Sequence, residues 1–525
     1  MGIHQFFCFV YIATLLATVD PFAPVSNLQQ QRLPHLWSTA KDDISEQHVT
    51  LTRDAAIVPI PKDRHFSRNP LVRIKAFLGA TQLWSDDATA EHDVFLQETG
   101  GVWRTRALVL LDSVAISTLA PDLVAQVATA EARGNLKRTW PASVVDLLGK
   151  RSLATVKNPD DPFFVAGRKI LVDAFGLKSI LQPEWLTVIR GEIAKLVKQW
   201  HKAAAQNETV LLQEDISQAT YRIILKVVLG DDITEEEVDG LYKNINVLQL
   251  GMFSIKLENA LVRRIPGLNS YMRGKEARAK LDTLLRGITA RRQTALQQEG
   301  TTPTCVLDSL LLSNLPPEEV VAFAVDNTVL SVFAGYDTTA STLSNVILLL
   351  DDHPDAKETI RKELESFDVH TVSPKAAGNL LDTLPYLRSA ILESVRQRPA
   401  VGGVFRKTTK ELAVGKVIVP ANTALAINGL AGAASPLLYE KPKQTCPFRF
   451  LHAASSSRPE PEPSLFGFGK HMCPGQHLAQ LEMTLILQAF LTQFYFVLEP
   501  GQDLSASPPF NAPKSKLRMK LTAKR

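Results

Sequence analysis

The chain has 525 residues, 45% hydrophobic and 21% charged, a composition that excludes disordered and fibrous classes and leaves room for one large core. Its net charge of +4 comes from 58 basic and 54 acidic residues interspersed along the chain, so no basic stripe marks a nucleic-acid partner. The four cysteines, Cys8, Cys305, Cys446 and Cys473, follow no paired spacing, which argues against a disulfide framework and for a reducing compartment.

From the N-terminus, Phe6 to Val19 is an apolar run shorter than the roughly 20 residues that span a bilayer comfortably. It lacks the basic flank and small-residue cleavage site of a secretory signal, so residues 1–19 are expected to be an uncleaved anchor or signal-like segment. Residues 20–70 are polar, with scattered prolines and no apolar period, the pattern of a linker. Dense patterning begins near Leu71, and residues 71–525 are expected to form one domain. Two β-rich runs, VWRTRALVL from Val102 and the SVAIST that follows, predict a hairpin. Helical periodicity then dominates over 121–132, 161–175, 185–204, 215–229, 276–298 and 317–350. The predicted fold is mainly α with a small β region.

The last of these helices opens on Pro316, Pro317, Glu318 and Glu319, with proline and acids in its first turn, and its pattern predicts a rod of about 50 Å. Its middle, AGYDTT from Ala334 to Thr339, places Gly335, Asp337 and Thr338 in an apolar run, where glycine costs about 1 kcal/mol against alanine. Two readings stand: the threonines bond back to the preceding turn and bend the helix, or the segment is a functional site. Further on, Glu393 and Arg396 lie three residues apart on one helical face, a pairing worth only ~0–1 kcal/mol when exposed. Arg406 follows in VFRK and Arg449 in PFRF, and SSSRPEPEPS at 455–464 reads as a surface loop.

That loop leads into FGFGKHMCPGQHLA, Phe466 to Ala479. Cys473 sits in a glycine-rich turn that enters an amphipathic helix, where the macrodipole and free N–H groups are expected to lower a thiol pKa and favour an iron-ligating thiolate. Gly469 and Gly475 allow the backbone to turn tightly and approach a flat macrocycle, while Phe466 can pack beside the sulfur. A lone cysteine in such a turn is more often a packing residue. His471, Cys473, His477 and Cys446 also include the ligand types of a zinc site, without the paired C-x-x-C spacing.

Phe466, Gly469, His471, Cys473 and Gly475 satisfy F-x-x-G-x-(R/H)-x-C-x-G, and in this loop the chain resembles the cytochrome P450 family. The resemblance runs from about Leu71 to Leu521 and implies a haem held between the long central helix and the cysteine-loop helix. It implies Cys473 as the axial ligand of the iron, pushing electron density that favours O–O cleavage. By the same resemblance Gly335 opens an oxygen-binding groove, and Asp337 and Thr338 relay protons. Glu393, Arg396 and Arg449 correspond to a buried triad that holds the haem loop, and His471 and Arg406 face the propionates. Trp103 and Arg106 mimic the family's W-x-x-x-R helix but are one residue short. The better alignment is DPFFVAGRKILVDAF, in which Phe164 replaces the usual Trp or His and Arg168 reaches a propionate. Thr445 and Cys446 depart from the Phe-Asp common in the family, and PANT at 420–423 departs from a PKGT-like turn.

The implied activity is that of a monooxygenase oxidising a hydrophobic small molecule. The Asp337–Thr338 pair favours it over a haem-thiolate isomerase or peroxygenase, and a non-catalytic haem or zinc protein is the remaining class. Residues 251–274 loosely resemble the retinoid- and sterol-oxidising branches, which implies an isoprenoid, steroid or retinoid-like substrate. The length leaves no room for a flavin or ferredoxin domain, so electrons are expected from NADPH through a separate reductase, or from a ferredoxin, docking on the basic face behind Cys473. With residues 1–19 as anchor, the expected location is a membrane, that of the endoplasmic reticulum.

Overall fold

The computed structural model describes residues 102–106, 112–117, 121–254, 269–298, 302–372, 380–414, 417–428, 433, 436, 438–451, 460–507 and 510–524. The expected anchor and linker, and most of 251–274, lie outside them. Strands β1 (Val102–Arg106) and β2 (Asp112–Ser117) form the predicted antiparallel hairpin and lead to α1 (Pro121–Ala132) and β3 (Leu136–Arg138). Five helices follow, broken by one short strand: α2 (Ala142–Leu148), α3 (Pro162–Ala174), α4 (Leu177–Ile180), α5 (Pro183–Ala205), β4 (Thr209–Leu211) and α6 (Leu212–Leu229). Next come α7 (Glu235–Met252), α8 (Ser270–Leu296), α9 (Val306–Leu311), α10 (Pro317–Gly335), α11 (Asp337–Asp351), α12 (Pro354–Glu365) and α13 (Pro385–Gln397). The chain then forms β5 (Gly403–Thr408), β6 (Leu412–Val414), β7 (Val417–Val419) and β8 (Ala424–Asn428). It ends with α14 (Gln476–Gln493), β9 (Phe494–Leu498), β10 (Ala506–Ser507), β11 (Ala512–Pro513) and β12 (Arg518–Ala523).

The largest sheet has the order β1-β2-β8-β5-β3, with β2 and β8 parallel, and a second sheet runs β4-β12-β9. The fold is thus mainly α with a small β part, as its periodicities predict. Trp103 and Arg106 lie on β1, so they form no helical motif. The helix α7 was absent from the expected set, although its start carries a clear signal. Thr234 accepts from the Glu237 amide at 3.2 Å, and the Glu237 carboxylate accepts from the Thr234 amide at 3.0 Å, a complete capping box.

The core is built from helical stripes. On α5, Ile189, Ile193, Leu196 and Trp200 recur at helical spacing and are buried. The Trp200 ring meets Phe490 of α14 edge-on at 5.3 Å and Phe494 of β9 at 6.0 Å. Where α7 and α8 cross, the backbones touch: a Cβ at Gly251 would lie 2.8 Å from Gly274 Cα. The apolar stretch 317–351 is long enough to cross a membrane by composition, but here it is largely buried as the central rod of the domain. It is not one helix. α10 and α11 meet at a bend on Tyr336.

The Trp200 indole N–H donates to Asp215 Oδ2 at 3.0 Å, and Gln199 donates to Oδ1 at 3.0 Å. Burial nevertheless pushes the Asp215 acid up to about 6, with these two hydrogen bonds opposing. The folded state therefore holds this proton more tightly than the unfolded chain, whose aspartate titrates near about 4. Stability should fall as pH rises from about 4 through about 6. Urea unfolding midpoints measured across that window should decline less steeply in Asp215→Asn than in the unmodified protein.

Candidate functional site

The cysteine loop is shaped by its backbone. A short 310 turn, Gly469–His471, follows Phe468, and Gly475 caps the start of α14. The Cys473 amide donates to Phe466 O at 2.9 Å and the Met472 amide to Gly469 O at 3.2 Å, so the loop closes on itself around the cysteine. Burial raises the Cys473 thiol above its ordinary value, against the opposing pull of the Gly475 N–H and the Arg168 charge. This corrects the lowered value expected from the helix terminus: desolvation outweighs the N–H group and the charge that favour the thiolate. Metal ligation removes that proton, since a thiolate is the ligating form.

Beside the loop is a pocket of cations. Arg168, half-buried on α3, donates through Nη1 to Met472 O, next to Cys473. Arg406, buried on β5, donates through Nε to Glu131 Oε1 at 2.5 Å. His471 Nε2 lies 3.3 Å from the same oxygen, outside hydrogen-bonding geometry. Its ring meets Phe164 edge-on at 5.1 Å, so the residue standing where the family has Trp or His packs but donates nothing. Burial, and then the neighbouring charges of Arg138 and Arg406, drive the His471 imidazolium down to about 2, so the ring is neutral. Arg138 on β3 donates to the carbonyls of Leu153 and Ala154 at 3.3 and 3.2 Å. Burial, together with Arg406, lowers Arg138 to about 9, which leaves it charged at neutral pH.

Glu131 and Arg138 were not among the expected site residues. The cues were faint: an acid in the last turn of α1, where the macrodipole disfavours it, and an arginine one strand period from the buried Leu136.

The bend in the central helix has identifiable hydrogen bonds. Thr338 Oγ1 donates to Ala334 O at 2.9 Å and Thr339 Oγ1 to Gly335 O at 3.2 Å, while Thr220 of α6 donates to Tyr336 O at 3.2 Å. A Cβ on Gly335 would lie 2.7 Å from Ile224 Cγ1, so the missing side chain makes room for α6. Asp337 faces α6 and α7, accepting from Ser217 Oγ at 2.9 Å and from Gln249 Nε2 at 3.3 Å. Burial raises its acid above the ordinary value, with both hydrogen bonds opposing.

The third assembly supports the loop. Glu393, fully buried on α13, accepts from Arg396 Nε and Nη2 at 2.7 Å each and from Arg449 Nε at 3.1 Å. It also accepts from the Cys446 amide at 3.1 Å and from Gln397 at 3.0 Å. The Arg396 guanidinium lies 4.9 Å over the buried Tyr439 ring. Leu392, Leu438, Tyr439 and Phe450 form an apolar cluster joined by Leu465, the residue before Phe466, which links the ion cluster to the cysteine loop. Glu460, in the expected surface loop, pairs with Arg449 at 3.2 Å and so closes the cluster from outside.

These residues fit a haem. Both ring nitrogens of His471, Nε of Arg138 and Oε2 of Glu131 are buried without a hydrogen-bond partner. Around them three guanidiniums have an excess of positive charge beside the half-buried Cys473 thiol, the donor set for two propionates and a thiolate-bound iron. Among the described residues no group of three or more His, Cys, Asp and Glu side chains is placed to hold a metal ion, which removes the support for a zinc site.

Comparison with known proteins agrees with this geometry. The family model for Cytochrome P450 matches residues 97–521. Cytochrome P450 85A1 of Oryza sativa subsp. japonica is 26% identical over 425 residues, covering 79% of this chain and 84% of its own. Among solved structures, retinoic acid-bound cyanobacterial CYP120A1 aligns with a TM-score of 0.67 at 26% identity, over 82% of this chain and 93% of its own. A zebra fish cytochrome P450 with progesterone aligns with a TM-score of 0.66 at 21% identity, over 83% of this chain and 99% of its own. The chain belongs to the cytochrome P450 family and is a haem-thiolate monooxygenase that acts on hydrophobic substrates with electrons from a redox partner.

Proposed function

We propose that Cys473 would ligate the haem iron through its thiolate and that Arg138, Arg168, Arg406 and His471 would receive its propionates. The observation that carries this reading is the joining of the Cys473 turn to the cation pocket through Arg168 and Met472. When bound, the haem supplies dioxygen activation and transfer of one oxygen atom to the substrate. The chain's own residues position and protonate. Thr338 donates its proton to Ala334 O, which leaves Oγ1 lone pairs free to accept from a water or substrate hydroxyl. Burial makes Asp337 hold a proton more tightly than an exposed aspartate, while the hydrogen bonds its two oxygens accept from Ser217 and Gln249 fix the carboxyl against α6 and α7. Phe466, Gly469 and Gly475 shape the loop, Gly335 lets α6 close on the bend, and Glu393, Arg396 and Arg449 hold the loop from behind.

The substrate in this reading is an isoprenoid, steroid or retinoid-like molecule. Three rings from three elements support an apolar binding wall: Phe253 after α7, Phe333 on α10 and Phe510 between β10 and β11, with centroids 5.8 to 6.5 Å apart. The retinoic acid bound by the cyanobacterial relative is of the same class. Electrons come from NADPH through a separate P450 reductase or from a ferredoxin. The apolar run Phe6 to Val19 supports anchoring to a membrane, that of the endoplasmic reticulum.

The reduced protein with carbon monoxide should give the strongly red-shifted Soret band of thiolate ligation, and Cys473→Ala should lose it; a retained band would reassign the ligand. Thr338→Ala should keep the haem spectrum but divert reducing equivalents from product to hydrogen peroxide. Fully coupled turnover by that variant would remove Thr338 from the proton path. Glu393→Gln leaves buried Arg396 without its counter-charge and Arg449 with Glu460 alone, and should cost about 3–5 kcal/mol, read as a lower urea midpoint and reduced haem content.

A further inference from the structure

Glu131 is at odds with the pocket it occupies. A site that must accept two propionates already contains a carboxylate, almost fully buried at 1% exposure. Its Oε1 takes the Arg406 Nε–H at 2.5 Å, and Arg406 is itself only 3% exposed. Its Oε2 has no hydrogen-bond partner, and it lies 3.1 Å from where a Cβ would stand on Gly469, a residue at φ +66° in the cysteine loop. The carboxylate thus spans from the arginine on β5 to the wall of the cysteine loop. Burying Arg406 without a counter-ion is unfavourable, and among the described contacts Glu131 is the carboxylate that relieves it. Yet the same negative charge repels any anion that approaches Arg406.

We infer that Glu131 is an internal stand-in for a haem propionate: it neutralises Arg406 in the haem-free chain, keeping that chain folded and receptive, and it competes with the propionate for Arg406 when haem enters. Glu131 therefore lowers haem affinity in exchange for stability before loading. This rests on the assignment of the pocket to haem, and failure of that assignment is separately visible, because the unmodified chain would then take up no haem.

The test is a Soret titration of haem-free protein, unmodified and Glu131→Gln, with haem and with haem dimethyl ester, whose propionates carry no charge. The amide keeps the shape and an acceptor for Arg406 but removes the charge. Glu131→Gln should bind haem about tenfold tighter, bind the diester no tighter than the unmodified chain does, and melt at a lower temperature when haem-free. Equal or weaker haem binding by the variant, or an equal gain for the diester, would overturn the inference. Should the haem-free variant fail to fold, haem transfer from each loaded protein to excess apomyoglobin gives the same comparison. Slower loss from Glu131→Gln supports the stand-in, and equal or faster loss refutes it.

Discussion

Burying a guanidinium is costly, and the architecture around the cysteine loop follows from how Arg396, Arg449 and Arg406 are each given an anion. Arg396 and Arg449 share Glu393, and because the acceptor is on α13 while Arg449 and the Cys446 amide come from the segment after β8, that segment has one place to run. Phe450 is fixed by the same geometry, its amide donating to Ser389 of α13 at 3.0 Å. Tyr439, Phe450 and Leu465 then close over the ion cluster, and the cysteine loop begins where they end. A polar cluster fully supplied with partners acts here as a fixed post from which the glycine-rich loop is hung.

Arg406 presents the same problem on the other side of the loop and solves it with Glu131. The two clusters differ in completeness. Every oxygen of Glu393 has donors, whereas Glu131 keeps one oxygen unpaired and His471 keeps two unpaired nitrogens. One cluster is finished within the protein, and the other is left for a ligand to complete.

What was legible in the sequence follows from this. The Phe466 to Gly475 pattern, the Glu393–Arg396 pair and Arg449 could be read because their spacing is imposed by a local turn, a helical face and a short meander. The alternation of β1 and the stripe on α5 were legible for the same reason, since each is set by the period of its own element. Features that arise from tertiary contact were not. The bend at Tyr336 could be read from the threonines that bond back to the preceding turn, but not the hydroxyl that Thr220 adds from more than a hundred residues earlier, and the meaning of Gly335 depends on Ile224. Asp337 and Thr338 are adjacent in sequence, yet one faces α6 and α7 while the other bonds back along α10. The fall in the Cys473 acidity was likewise invisible, because the dipole can be read from a helix start but desolvation cannot.

The contact of α7 with α8 bears on how such an enzyme can diversify. At Gly251 and Gly274 the two backbones leave no volume for a side chain, and Leu147 of α2 closes the third side, its Cδ1 standing 3.0 Å and 2.9 Å from the two hypothetical Cβ positions. Three helices are locked at one point that tolerates no added atom. Substitution at these two glycines is therefore closed off, and variation among such chains must fall on either side of this knot, where side chains can differ in size.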